Sequence, residues 1–145
     1  MSALTIQVVF DCADPARLAG FWGALLGYVT EPPPPGFESW DQFADHIGMP
    51  PEQRTRLAAV VDPERSKPRL FFQKVPEPKT AKNRLHLDVD VAPGLARGGD
   101  ERKAAAWARC RELEARGAQL IHELDEPAGW CLVMTDPEGN EFCLH

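Results

Sequence analysis

The side chains best suited to chemistry lie on short segments that alternate with a period of two. RLHLDVDV at 84–91 alternates strictly, so His86, Asp88 and Asp90 project from one face of a strand, and Leu87, Val89 and Val91 from the other. A histidine beside a carboxylate can move a proton near neutral pH, which makes His86 and Asp88 the candidate acid/base pair. The same two groups are also metal ligands. By the same period, LTIQVVFD at 4–11 sets Gln7, Val9 and Asp11 opposite Ile6, Val8 and Phe10. RLFFQ at 69–73 presents Phe71 and Gln73, and EFCLH at 141–145 presents Glu141, Cys143 and His145. Polar groups mixed with Val9 and Phe71 are the composition of a ligand site more than of a second core. An open antiparallel sheet with one solvated face would alternate in the same way without any ligand.

The elements that must position these side chains come in two copies. AAVVDPERSKPRLFFQ at 58–73 is echoed by CLVMTDPEGNEFCLH at 131–145, each an apolar run, then Asp-Pro-Glu, then a second apolar run. Asp14-Pro15 reads as a helix cap followed by a first-turn proline. Leu18, Phe21, Trp22, Leu25 and Leu26 follow at helical spacing, and Gly27 supplies the stop. In the second copy Asp100 is placed to cap a helix carrying Trp107, Cys110 and Leu113 on its core face, before a stop at Gly117. Strands are expected at 57–62, 69–75, 119–124 and 130–135. The order is strand, helix, three strands, twice over, which predicts an α+β domain of two βαβββ modules. Module one covers 1–76 with an insertion at 31–56, and module two covers 84–145. PEPKTAKN at 76–83 is a polar linker. In the insertion a proline run excludes regular structure, while SWDQFADHIG can form a short capped helix. Phe37, Trp40 and Phe43 there either close over an apolar ligand or pin the insertion to the sheet. Asp136, Gly139 and Asn140 read as a tight turn in which Gly and Asn tolerate positive φ. Lys79, Lys82 and Arg84 read as a solvated basic linker, and His145 as a residue free to fray.

Composition narrows the partners. At 145 residues the chain is too short for two independent domains, so the copies are expected to share a core. With 43% hydrophobic and 26% charged residues it is of ordinary globular composition, and its 14 prolines point to structured loops. A net charge of −6 with no basic stripe works against nucleic acid or an anionic membrane as partner. The opening MSALTIQVVFDCAD has neither a signal peptide pattern nor a spanning run, and the four cysteines form no C-x-x-C, so a cytoplasmic protein with reduced thiols is expected.

The duplicated pattern, with QVVFDCADPARLAGFWGALLGY, KNRLHLDVDV and DPEGNEFCLH, resembles the vicinal oxygen chelate superfamily: glyoxalase I, extradiol dioxygenases, fosfomycin- and bleomycin-resistance proteins. It is most similar to the glyoxalase-like domain proteins, over nearly the whole chain outside 31–56. The resemblance implies paired sheets forming a cup, with metal ligands on the first and last strands of each module. The family's ligand positions fall on Gln7, on Gln73 or Phe71, on His86 and on Cys143, where relatives place a glutamate. That set lacks a carboxylate, and two neutral amides are poor ligands. Asp88 and Glu141, two residues from His86 and Cys143, are the carboxylates able to replace it, so the metal set to test is Gln7, His86 and Glu141. The implied cofactor is none or one divalent metal ion. The implied pocket is Gln7, Val9, Asp11, Trp40, Phe71, Gln73, His86 and Cys143. The first expectation is a protein that holds a small organic molecule in the cup without a full metal centre. The alternative is a metal-dependent lyase, isomerase or dioxygenase, and a third is metal-free proton transfer by His86 and Asp88. Glyoxalase I activity itself is disfavoured by Cys143. The cup closes within one chain or across a homodimer, since relatives do both.

Overall fold

The computed structural model describes residues 2–145. The fold is α+β, and the chain divides into two compact units between Pro78 and Lys79. Unit 1 runs β1 (Gln7–Cys12), α1 (Pro15–Leu26), β2 (Val29–Thr30), α2 (Trp40–His46), α3 (Pro51–Arg54), β3 (Leu57–Val61), β4 (Arg69–Lys74). Unit 2 runs β5 (Leu87–Val89), α4 (Asp100–Glu114), β6 (Gln119–Glu126), β7 (Gly129–Thr135), β8 (Glu141–Leu144). Each forms a mixed four-stranded sheet, in the order β1-β4-β3-β2 and β5-β8-β7-β6. The first strand of each unit lies at an edge and pairs in parallel with the last, β1 with β4 and β5 with β8. Among the described residues no helix is long and apolar enough to cross a membrane.

Helix α1 forms as its caps dictate. Asp14 accepts a hydrogen bond from the Arg17 N–H, Pro15 opens the first turn, and Gly27 ends the helix at φ 71°. Its apolar stripe packs on β3 and β4. Trp22 and Phe72 are fully buried there, and Phe10 lies 5.1 Å from each ring. In unit 2, α4 covers β6 and β7 over a core of Leu132, Met134, Phe142 and Leu144.

Several local expectations are corrected. Ile6 precedes β1 and is 70% exposed, so the buried face of that strand begins at Val8. Only Leu87–Val89 of the 84–91 run pairs as a strand. As an edge segment β5 has a partner on one side only, and Asp90 leaves the ladder to accept from the Ala92 N–H and from Arg102. Helix α4 is capped by Gly99 without a side-chain bond, and Asp100 is its first helical residue. The buried stripe of α4 is Arg102, Ala106, Cys110 and Leu113, which leaves Trp107 half-buried. His145 does not fray, because its N–H donates to the Val89 carbonyl and its carbonyl accepts from the Val91 N–H.

The two Asp-Pro-Glu turns are built alike. Asp62 accepts from the Glu64 and Ser66 N–H groups and from the Ser66 hydroxyl. Asp136 accepts from the Glu138 and Asn140 N–H groups and from the Asn140 amide. Three residues after each aspartate the chain enters positive φ, at Arg65 (58°) and Gly139 (86°). Asn140 is therefore a hydrogen-bonding partner of Asp136 and does not itself adopt positive φ.

Candidate functional site

The open face of sheet A, opposite α1, carries the first group of expected site residues. Parallel pairing of β1 with β4 sets Gln7 beside Arg69, Val9 beside Phe71 and Asp11 beside Gln73. Arg69 Nη1 donates to Gln7 Oε1 at 2.9 Å, and its Nη2 pairs with Glu31 at 2.5 Å. Its guanidinium also lies 4.8 Å from the centre of the Phe71 ring. Gln73 Nε2 donates to Asp11 Oδ1 at 2.7 Å. Arg69 and Glu31 were absent from the sequence-level site, although Arg69 shares the period of Phe71 and Gln73 and was legible by that rule.

The 31–56 segment covers part of this face. Ser39 caps α2 by accepting from the Gln42 N–H, and the Gln42 side chain accepts from the Glu38 N–H. Phe37, Trp40 and Phe43 form an edge-to-face cluster with centroids 5.2 and 5.9 Å apart. Trp40 Nε1 donates to the Glu31 carbonyl at 2.7 Å, and Arg54 ties the end of the segment to Asp45 and to the Met49 carbonyl. Between segment and sheet lies a cavity of about 310 Å³, lined by Trp40, Phe43, Met49, Leu57 and Phe71, with Glu31, Arg54 and Arg69 as polar groups. The insertion thus makes its own ring cluster and also walls a cavity. Trp40 and Phe71 of the expected pocket meet there.

The open face of sheet B carries the second group. Register pairs Asp88 with Cys143, and Cys131 lies on the same face of β7, two residues from Val133, the partner of Cys143. His86 Nε2 is 3.2 Å from Asp88 Oδ1. One donor atom each from His86, Asp88 and Cys143 falls within 4.8 Å of the others. The Cys143 thiol is pushed up to about 12, first by burial, then by Cys131 and by Asp88. A nucleophilic cysteine needs the opposite, a lowered pKa with an imidazole as its direct base. Here the carboxylate is paired with the imidazole and sits in register beside the thiol, which suits neither a Cys–His dyad nor a triad ordered by histidine. His86 and Asp88 have side chains 49% and 61% exposed, open to solvent for proton exchange.

The metal that the fold family implies can be tested against these groups. Gln7 Oε1 already accepts from Arg69, whose charge repels a cation at that amide. Glu141 is paired with Lys79 at 3.3 Å and accepts from the Asn83 N–H at 3.0 Å. Burial alone would raise the Glu141 pKa, but the Asn83 N–H and the Lys79 ammonium outweigh it, and the carboxyl titrates below its ordinary value. Gln7 and Glu141 are thus committed to basic side chains and do not fit a hard-cation centre, whereas Asp88 and Cys143 join His86. Lys79 is part of that structural pair, so the linker before His86 is not wholly solvated.

Among solved structures, a glyoxalase/bleomycin resistance protein/dioxygenase family enzyme from Burkholderia phytofirmans is similar, with 16% identity and a TM-score of 0.62 over 95% of this chain and 94% of that one. The bleomycin-binding protein of Streptomyces verticillus, complexed with copper(II)-bleomycin, is 16% identical with a TM-score of 0.55, covering 99% and 96%. A mutant of the fosfomycin resistance protein FosX from Listeria monocytogenes, complexed with Mn(II) and 1S,2S-dihydroxypropylphosphonic acid, is 10% identical with a TM-score of 0.62, covering 100% and 90%. At these identities the likeness shows the fold. No curated protein matches the sequence. The family model described as "Glyoxalase-like domain" matches residues 7–145, so the chain belongs to the glyoxalase-like domain family of the vicinal oxygen chelate fold.

Proposed function

We propose that this protein binds a small, partly aromatic organic molecule in the cavity of unit 1, without a hard divalent metal at Gln7 and Glu141. The observation that carries this reading is the cavity itself. It has the volume and apolar lining of a small-molecule site, with a few convergent polar groups at its wall. The Arg69–Glu31 pair supplies a fixed donor and acceptor without a net charge, which favours a neutral, planar ligand stacked against Trp40 and Phe71. The relative that binds copper(II)-bleomycin supports sequestration as a use of this fold. A net charge of −6 supports a small molecule over nucleic acid. Four cysteines held as thiols favour a reducing, cytoplasmic setting. The exposed Leu4, Ile6 and Leu85 favour a homodimer, which the mass in solution checks.

The test is titration with the neutral fluorescent probe N-phenyl-1-naphthylamine. The wild type is expected to bind one equivalent with quenching of tryptophan emission. Ala59→Trp, which fills the cavity, is expected to abolish binding while the circular dichroism spectrum is unchanged. Binding that is undiminished in Ala59→Trp overturns the reading.

A second reading rests on the 3.2 Å His86–Asp88 contact: acid/base catalysis on a substrate with vicinal oxygens at the open face of sheet B. It requires turnover that is lost in His86→Ala and retained in Ala59→Trp.

A further inference from the structure

We propose that unit 2 holds a thiophilic divalent cation of the zinc type, ligated by His86, Asp88 and Cys143, with Cys131 as the fourth ligand. The inference is independent of the unit 1 cavity and departs from the Gln7, His86 and Glu141 set.

Three kinds of donor converge on one face. Imidazole nitrogen, carboxylate oxygen and thiol sulfur lie within 4.8 Å of one another, so side-chain rotations of about 1 Å bring them to the roughly 3.3–3.8 Å separations that metal bonds of about 2.0–2.3 Å impose on ligands of one tetrahedral ion. The backbone fixes this arrangement. Parallel pairing of β5 with β8 places Asp88 beside Cys143, and antiparallel pairing of β7 with β8 brings Cys131 to the same face. With Val133 opposite Cys143 and Leu132 opposite Leu144, Cys131 is the diagonal neighbour of Cys143 on that face.

The surroundings suit a cation that exchanges with solvent. Cys143 is buried, while His86 and Asp88 are exposed. Asp88 and Cys131 also border a hollow of about 410 Å³ at the end of sheet B. The nearest buried guanidinium, Arg102, is turned to Asp90 and to the carbonyls of Leu95 and His145, so its charge is already matched. Two sulfurs with one nitrogen select zinc or cadmium over manganese, magnesium or calcium, which prefer oxygen. Binding converts both thiols to thiolates and releases their protons to solvent.

Cadmium titration of the metal-stripped full chain tests this directly, read by the sulfur-to-cadmium charge-transfer absorption in the ultraviolet. One equivalent is expected to saturate the band. Zinc should displace cadmium, and manganese in equal amount should not. Cys143→Ser is expected to abolish the band, and Cys131→Ser to weaken it. His86→Ala, at an exposed position that leaves folding intact, should lower affinity by about 10-fold or more. The absence of a stoichiometric band overturns the proposal. A band that survives Cys143→Ser, unchanged affinity in His86→Ala, or displacement by equal manganese also overturns it.

Discussion

On sheet A the polar side chains of the open face are paired with one another: Arg69 with Glu31 and Gln7, and Gln73 with Asp11. On sheet B the corresponding face gathers His86, Asp88 and Cys143 within 4.8 Å of one another, with Cys131 on the same face of the neighbouring strand. Both faces come from one strand order and one parallel first-to-last pairing. The difference is one of partners. An arginine opposite Gln7 consumes the amide oxygen that could have met a cation, whereas Cys143 opposite Asp88 adds a soft donor. Unit 1 also has the 31–56 segment over its face, which turns a flat sheet into a walled cavity. A repeated architecture therefore carries two different chemistries, set by which residues the register brings side by side.

The largest effects should come where the two units are most alike. Phe72 and Phe142 are each 0% exposed on the helix-covered faces. Phe72→Ala and Phe142→Ala are each expected to cost about 3–5 kcal/mol in urea denaturation. A loss under about 1 kcal/mol for one of them would break the equivalence of the two cores.

The next effect belongs to unit 1 alone. Arg69→Ala leaves the Glu31 carboxylate, only 16% exposed, without its closest cation, at an expected cost of about 1–3 kcal/mol. The same change frees Gln7 Oε1, so a gain of manganese binding by this variant, measured by calorimetry, would sharpen the contrast between the faces. Stability equal to wild type would remove Arg69 as the group that organises sheet A.

A smaller contrast lies in the turns. Gly139→Ala places a Cβ at φ 86°, and its nearest neighbour is the Lys79 Cγ at 3.7 Å. Space is therefore ordinary, and the cost of about 1 kcal/mol comes from the backbone angle. Arg65 already bears that cost at φ 58°, so Arg65→Gly is expected to be close to neutral, as Cβ relief offsets the added freedom of the unfolded chain. Thermal melts of the two variants should differ accordingly.

The smallest effect is seen in acid. The Ser66 hydroxyl, aided by backbone N–H groups, holds Asp62 below its ordinary value of 3.8. The Ala92 N–H and then Arg102 do the same for Asp90, against the opposing effect of burial. A carboxyl depressed in the folded state contributes stability above its unfolded value and loses it as pH falls through the folded one. Stability should therefore decline below about pH 4, and Asp62→Asn and Asp90→Asn should each flatten part of that decline.

Much of the fold was legible because local rules agreed with it. Asp14, Pro15 and Gly27 bound α1 where capping chemistry places them, Ser39 caps α2, and the doubled Asp-Pro-Glu marks two equivalent turns. Edges were less legible. Strict alternation over 84–91 describes which way side chains point, but a strand is a pairing, and β5 keeps its partner for three residues only. Trp107 has helical spacing, yet the buried stripe of α4 passes through Arg102 and Ala106, because an arginine matched by Asp90 and by carbonyl oxygens can occupy a buried position. Period two nominated Gln7, Asp88 and Cys143 individually. It gave no sign that Gln7 faces an arginine or that Cys131 shares a face with Cys143.

The sequence alone determined the family, the order of elements, the caps of α1 and the turns, since each depends on residues a few positions apart. Tertiary structure decided the chemistry of the two faces. Arg69 meets Gln7, and Asp88 meets Cys143, across strands more than fifty residues apart in the chain. Such neighbours are fixed by strand register, which is a property of the assembled sheet and of no local stretch of sequence.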